Sequence, residues 1–147
     1  MRSPAAQRES RAAMPEAGAK KILVVDDEKD IADLTVALLD CHGFGTSVAY
    51  SAEEALQILA GDASIDAVFS DVTMPGLTGL QLADAVSDSY PAVRIVLTSG
   101  FGSPGILLAC KQRYLFIAKP YGIDAVVSLF RGDPAACQAT AADQPVT

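Results

Sequence analysis

The stretch Ile22-Leu23-Val24-Val25-Asp26-Asp27-Glu28 runs from four aliphatic residues directly into three acids. A continuous aliphatic and β-branched run is typical of a strand that is buried on both faces of a parallel sheet. A second apolar run, residues 65–70, ends at Asp71 and is followed by the loop Met74-Pro75-Gly76. Because open α/β sheets place their chemistry at the carboxyl ends of strands, we predict that Asp71 is a functional residue.

Short apolar runs alternate with segments of helical spacing along the rest of the chain. The first helical segment repeats four apolar residues, namely Ile31, Leu34, Leu38 and Leu39. Ser51 and Glu54 predict a capping box at the start of the second helix. We predict five strands, at residues 22–25, 46–49, 65–70, 93–97 and 114–118. Strand and helix alternating in this way predict an α/β fold with a doubly wound, five-stranded parallel sheet, (βα)5.

The composition limits the possible partners and the extent of the fold. The chain has 147 residues, is 50% hydrophobic and carries a net charge of -7, which suits one globular domain and disfavours binding to nucleic acid or to an anionic membrane surface. Three cysteines without metal-type spacing favour a reducing, cytoplasmic compartment. We predict a folded domain at residues 20–131, between disordered tails at residues 1–19 and 132–147.

Polar side chains stand at the ends of four predicted strands. They are Asp26 and Asp27 after the first, Asp71 after the third, Thr98 after the fourth and Lys119 after the fifth. The carboxyl ends of parallel strands meet at one edge of the sheet, so we expect these five side chains to converge. Carboxylates held close together repel each other, and a hard divalent cation with oxygen ligands, such as Mg2+, relieves that repulsion.

Such a pocket suits the transfer of a phosphoryl group, which depends mostly on positioning and on neutralising three equatorial oxygens. Mg2+, the Lys119 ammonium and the Thr98 hydroxyl could each take one oxygen. Asp71 would then attack the phosphorus in line and become an acyl phosphate. We therefore predict that Asp71, Lys119 and Thr98 form the catalytic set.

Four motifs stand in order at these strand ends: residues 22–28, residues 71–76 with Gly79 following, residues 97–100 (Leu97-Thr98-Ser99-Gly100) and residues 119–121 (Lys119-Pro120-Tyr121). Each motif is weak alone, but together and in this order they are specific. The chain resembles the receiver domains of two-component response regulators over residues 20–131. The resemblance implies a flavodoxin-like fold with strand order 2-1-3-4-5.

The resemblance also implies roles for the acidic residues. Asp71 is expected to be phosphorylated by a phosphohistidine of a sensor histidine kinase or a histidine phosphotransfer protein. Asp27 is expected to bind Mg2+ directly and Asp26 through water, and the backbone carbonyl of Thr73 completes the protein ligands alongside Asp71.

The resemblance also implies roles for residues that respond to phosphorylation. Lys119 bridges to the phosphoryl group, and the bond to Pro120 is expected to be cis. Thr98 shifts toward the phosphoryl oxygen and Phe116 packs inward behind it, which changes an output face of helix 4, strand 5 and helix 5 for a downstream protein. The chain departs from the family pattern in helix 4, which is short (residues 105–112) and follows Ser103-Pro104, and in Phe116, where tyrosine is commoner.

Several interpretations of the whole chain remain. We expect a stand-alone receiver, because the tail after Arg131 is too short for a DNA-binding output domain, acting as a switched binding module or relay intermediate and not as an enzyme. A receiver excised from a hybrid sensor kinase is an alternative. A Mg2+-dependent phosphohydrolase is a third interpretation, but Thr73 stands where such enzymes commonly have a second acid. A flavin-binding protein of the same topology is excluded because residues 26–28 would repel the FMN phosphate.

Overall fold

Five parallel strands form one sheet in the order β2-β1-β3-β4-β5. The computed structural model describes residues 19–100 and 104–131. The strands are β1 (Lys21–Val25), β2 (Gly45–Ala49), β3 (Ala67–Asp71), β4 (Arg94–Ser99) and β5 (Leu115–Ala118). The helices are α1 (Lys29–Cys41), α2 (Ala52–Gly61), α3 (Gly79–Ser89), α4 (Pro104–Arg113) and α5 (Ile123–Phe130). The predicted fold class and strand order are thereby confirmed.

Helices cover the sheet on both faces, which explains the continuous apolar strands. Leu23 and Val25 of β1 point into one core, which they share with α2, α3 and Cys110 of α4. Ile22 and Val24 point into the opposite core, against α1 and α5. All five residues of β3 are buried. A strand covered on both faces has no solvent side, so the two-residue alternation of a half-exposed strand is absent.

The apolar repeat in the first helix predicted the helix but not its buried face. The buried residues of α1 are Ala32, Thr35 and Leu39. Leu34 is instead 60% exposed and Ile31 36% exposed. Thr35 can be buried because its hydroxyl donates to the Ile31 carbonyl at 2.9 Å, so its polar group is satisfied inside the helix. The predicted apolar repeat therefore shares Leu39 with the buried face but misses Ala32 and Thr35.

The caps of α2 and α3 show a further difference from the sequence patterns. At α2, the Ser51 hydroxyl accepts from the Glu54 N–H as predicted, but the Glu54 carboxylate accepts from the N–H of Tyr50, one residue before the cap, at 2.7 Å. The complete capping box lies at α3, where Thr78 and Gln81 exchange side-chain and backbone hydrogen bonds. The Thr-x-x-Gln spacing there is itself a local signal for a capping box, although it was not among the predicted caps.

The predicted tails fall almost entirely on residues 1–18 and 132–147, which lie outside the described residues, and so the domain limits stay predictions. Ala19 is described, and its N–H donates to the Phe130 carbonyl at 2.7 Å. Ser103, the expected cap of α4, also lies outside the described part of the chain, and α4 itself runs one residue further at each end than predicted. In the described ranges, no helix has the length and apolarity needed to cross a bilayer.

Candidate functional site

The register of the sheet brings the predicted polar residues to one edge. Asp71 is the last residue of β3, and its direct neighbour across the parallel ladder is Thr98 of β4. Asp26 follows β1 immediately, and Lys119 follows β5. Because β1 and β4 both flank β3, Asp71 occupies the centre of this edge, with acids on one side and the hydroxyl and amine on the other.

Three carboxylates meet at the Asp71 position. One oxygen from each of Asp26, Asp27 and Asp71 lies within 4.8 Å of the others; Asp26 and Asp71 are buried and Asp27 is exposed. Asp26 is oriented by the Glu28 N–H, which donates to its Oδ1 at 3.0 Å. Burial raises the pKa of the Asp26 carboxyl, and the neighbouring Asp71 charge adds to that effect. The donor set contains only oxygen and carries excess negative charge, which fits a hard divalent cation such as Mg2+.

Thr73 lies in the loop between β3 and α3, beside the central carboxylate. Its N–H donates to Asp71 Oδ1 at 3.2 Å. This bond fixes the turn of the chain directly after Asp71 and keeps the Thr73 backbone close to the cluster. The role of the Thr73 carbonyl as a metal ligand stays a prediction.

The amine of Lys119 supplies the cation of the site. Its Nζ lies 3.3 Å from Asp71 Oδ2 and 3.8 Å from Asp26 Oδ2. Burial would lower the pKa of this amine, but the attraction of the two carboxylates outweighs burial and raises the pKa of Lys119 above its ordinary value. Lys119 is therefore a fixed positive charge at neutral pH. The peptide bond to Pro120 is cis, as the resemblance implied.

The hydroxyl of Thr98 is buried and has no hydrogen-bond partner among the residues that the structure describes. Buried hydroxyl groups are nearly always paired in folded proteins, so an orphan of this kind calls for an explanation. Thr98 stands beside Asp71 in the ladder, so an oxygen of a group bound to Asp71 is the natural partner. The arrangement can thus hold a tetrahedral oxyanion between Lys119 and Thr98.

Phe116 lies one strand away from this hydroxyl. It is the β5 neighbour of Leu97, next to Thr98 in sequence, and its side chain is half-buried. Lys111 of α4 lies over the ring, with Nζ 5.6 Å from the ring centroid. The ring thus contacts α4, and the predicted inward movement of Phe116 stays a prediction.

A second cluster, between α3 and the end of α4, was not anticipated from the sequence. Asp84 Oδ1 accepts from the Arg113 guanidinium and, at 2.5 Å, from the Tyr114 hydroxyl. The Arg113 guanidinium also lies 5.5 Å from the Tyr114 ring centroid. No local sequence signal marks this cluster, because its members come from separate elements that only packing brings together.

Comparison with known proteins identifies a matching family. The family described as response regulator receiver domain matches residues 22–131. The putative response regulator NtrX-like of Rickettsia bellii is 33% identical over 123 residues, which are 81% of this chain and 25% of that protein. The chain therefore spans about a quarter of the length of the curated relatives it matches.

Two solved structures extend the similarity to the fold. NtrX of Brucella abortus is 32% identical with a TM-score of 0.69, over 87% of this chain and 29% of that one. The chemotaxis protein CheY4 of Vibrio cholerae is 25% identical with a TM-score of 0.67, over 76% of this chain and 95% of that one.

Proposed function

Because this chain belongs to the response regulator receiver family of two-component signalling, we propose that Asp71 accepts a phosphoryl group from the phosphohistidine of a sensor kinase or phosphotransfer protein. One observation carries this assignment: the buried Asp71 carboxylate lies between the Lys119 ammonium, 3.3 Å away, and two further carboxylates within 4.8 Å. A nucleophile, a fixed cation and a cation-binding acid pair are what phosphoryl transfer to a carboxylate requires.

The acidic residues have two roles, which are to bind the metal ion and to attack the phosphorus. Asp26, Asp27, Asp71 and the Thr73 carbonyl would hold Mg2+, which supplies positive charge to the transferring group when bound. An Asp71 carboxylate oxygen forms the new bond to phosphorus, and the phosphorus–nitrogen bond of the donor breaks. The electron pair of that bond goes to the imidazole nitrogen, so an acyl phosphate and a free histidine result.

Lys119 and Thr98 stabilise the charge that Asp71 gains. The ammonium of Lys119 moves from pairing a carboxylate oxygen to pairing a phosphoryl oxygen, so the pocket does not gain an unpaired buried charge. The Thr98 hydroxyl donates to a second phosphoryl oxygen and thereby acquires a partner. To make this bond, Thr98 shifts toward the phosphoryl oxygen. The shift opens space on the β5 side, into which Phe116 turns.

The output in this proposal is a change of the surface formed by α4, β5 and α5. Ile106 and Leu108 of α4 are exposed (43% and 56%), and Phe116 contacts α4 through Lys111. A turn of the ring would break that contact and alter the apolar surface that a protein partner meets. We propose a cytoplasmic, phosphorylation-switched binding module or relay intermediate, whose only chemistry is its own phosphorylation and dephosphorylation.

The test is to incubate the purified protein with Mg2+ and acetyl phosphate and to map the modified residue by mass spectrometry. We expect stoichiometric labelling of Asp71, which Asp71→Asn and removal of Mg2+ by EDTA abolish. Asp30→Asn is the matched control, since Asp30 lies in the first turn of α1 outside the acid cluster. Labelling elsewhere, or release of phosphate from p-nitrophenyl phosphate over many cycles, would contradict the proposal, and the second result would favour a phosphohydrolase.

A further inference from the structure

Ser70, the residue directly before the central acid, is fully buried near the end of β3. Its hydroxyl donates to the backbone carbonyl of Asp71 at 2.9 Å. The other residues of β3 before Asp71 are apolar, namely Ala67, Val68 and Phe69. Burying a hydroxyl in such a strand costs free energy unless it is hydrogen-bonded, and here the bond goes to the backbone of the residue that we expect to react.

The ladder between β1 and β3 stops short of Asp71. Its last pair joins Val25 to Ser70, and the N–H of Asp26, the residue after β1, donates to the Ala49 carbonyl of β2 at 3.1 Å. On the other flank, the pairing of β3 with β4 does include Asp71. The Ser70 hydroxyl thus supplies a donor for the Asp71 carbonyl at the point where the β1 ladder has ended.

Both polar groups of the peptide unit between Asp71 and Val72 are hydrogen-bonded as a result. The carbonyl accepts from Ser70, and the N–H of Val72 donates to the Thr98 carbonyl at 2.9 Å. Because a peptide unit is planar, two bonds at its opposite ends fix the orientation of the whole plane. The Cα of Asp71 is one corner of that plane, so the direction of its side chain is restrained as well.

This backbone anchor stays in place when the contacts of the carboxylate change. Asp71 Oδ1 accepts from the Thr73 N–H and Oδ2 from Lys119, but in the proposed reaction one of these oxygens must bond to phosphorus. In-line attack requires that oxygen to be held within a narrow range of distance and angle. A bond to the backbone carbonyl can hold the residue without occupying either carboxylate oxygen.

We propose that Ser70 is a positioning residue for phosphoryl transfer, whose hydroxyl fixes the peptide unit after Asp71 and thereby directs the Asp71 carboxylate at the phosphorus. The inference rests on the proposed function and adds a residue to it. Ser70 contributes no atom to the acid cluster, so its loss should slow phosphorylation and leave the Mg2+ dissociation constant unchanged.

Ser70→Ala is the decisive variant, because it removes only the hydroxyl from the buried position. We expect the rate of Asp71 labelling by acetyl phosphate at saturating Mg2+ to fall about threefold to tenfold, the equivalent of one ordinary hydrogen bond. Ser70→Cys keeps a weak donor in nearly the same volume and should label at an intermediate rate. Calorimetric titration measures the Mg2+ dissociation constant of each variant in parallel.

Thr35→Val is the matched control, since it also removes a buried hydroxyl that donates to a backbone carbonyl at 2.9 Å, but this carbonyl belongs to Ile31 of α1 and not to Asp71. Urea denaturation should show a comparable loss of stability in Thr35→Val and Ser70→Ala, and only the serine variant should label more slowly.

An equal loss of rate in Ser70→Ala and Thr35→Val, a parent rate in Ser70→Ala, or a Mg2+ dissociation constant that rises in step with the loss of rate would each overturn the positioning role. A parent protein that is not labelled on Asp71 at all would instead overturn the proposed function.

Discussion

Gly79 begins α3 directly against the backbone of the central acid. A Cβ at this position would lie 2.2 Å from the Asp71 carbonyl oxygen and 2.7 Å from the Cα of Val72. The Gly79 N–H also donates to the Val72 carbonyl at 2.9 Å. The close approach lets the loop after Asp71 fold back without moving the carboxylate, so the residue at 79 shapes the site although it carries no chemistry.

Gly79→Ala should destabilise the protein by at least about 2 kcal/mol, because the new methyl group collides with backbone that cannot move away cheaply. Urea denaturation measures the change in the free energy of unfolding. Gly105→Ala in α4 is the control, since nothing lies within 4 Å of a Cβ there. A helical glycine replaced by alanine without a clash should gain up to about 1 kcal/mol. Equal effects at the two positions would contradict the steric explanation.

Thr98 and Thr35 are both buried, but they differ in what their hydroxyls meet. The Thr98 hydroxyl has no partner in the described part of the chain, whereas that of Thr35 donates to the Ile31 carbonyl. A buried polar group without a partner costs stability, and a paired one contributes to it. The unpaired hydroxyl of Thr98 therefore lowers the stability of the unphosphorylated protein.

Thr98→Val should leave the free energy of unfolding unchanged or raise it by about 1 kcal/mol, since it removes an unsatisfied hydroxyl at constant shape. Thr35→Val should lower it by about 1 kcal/mol. Chemical denaturation of both variants in the absence of a phosphodonor makes the comparison. A clear loss of stability in Thr98→Val would show that its hydroxyl already has a partner.

Among the helices, α4 is the one that the core holds least. Of its described side chains only Cys110 is fully buried. The C-terminal end of α4 is held by polar contacts outside the core, where the side chains of Arg113 and Tyr114 donate hydrogen bonds to Asp84 of α3. An element held by polar contacts at one end can change position at a smaller cost than one packed along its length, which suits an output surface.

The end of α2 is held to β1 by charge. Lys21 Nζ donates to Asp62 Oδ2 at 2.6 Å, and the Ser64 N–H donates to Asp62 Oδ1 at 2.9 Å. The bond from Lys21 and then those from Ser64 lower the pKa of Asp62 from 3.8 to about 2. Because the folded-state pKa lies below the unfolded one, this acid adds stability above pH 3.8, and that contribution is lost as the pH falls toward 2.

Asp62→Asn should therefore lower the free energy of unfolding near neutral pH, and the difference from the parent should disappear by about pH 2. The pair is partly exposed, so the loss should stay below about 1 kcal/mol. Urea denaturation across this pH range measures it. Lys21→Met removes the partner and should give a similar pH-dependent loss. A difference that does not vary with pH would assign the effect to packing instead.

The whole molecule concentrates negative charge where the strands end. The net charge is -7, and three acids meet at Asp71, two of them buried. Folding therefore buries Asp26 and brings like charges together, and both burial and the neighbouring Asp71 charge raise the pKa of its carboxyl. A cation bound there should stabilise the entire fold, because both cores contain the strands that carry these acids.

Mg2+ at about ten times its dissociation constant should raise the free energy of unfolding by about 1.4 kcal/mol. The measurement is the midpoint of thermal unfolding with MgCl2 against NaCl at equal ionic strength. Asp26→Asn and Asp27→Asn should reduce the gain, and Asp30→Asn should keep it. An equal rise in NaCl would mean that general screening and not a specific site is responsible.

Much of the architecture was predictable from local pattern. Strands buried on both faces must be continuously apolar, so residues 22–25 and 65–70 were recognisable, and their alternation with helices implied a parallel sheet. The helix α4 ends one residue beyond its predicted limit, at Arg113, because that residue is held by a distant acid and not by a local signal. The roles of Asp26, Asp27, Asp71, Thr73, Thr98, Lys119 and Phe116 stay predictions, although the structure brings their positions together.

The amino-acid order alone determined the sheet class, the strand ends and the polar residues that stand there, because parallel strands share one carboxyl edge whatever the details of packing. Only the tertiary structure decided that α1 buries Thr35 and exposes Leu34, and that the ring of Tyr121 packs edge to face against Phe69 of β3. These outcomes depend on which elements pack against each other. Packing of residues far apart in the chain sets that arrangement, and no local periodicity records it.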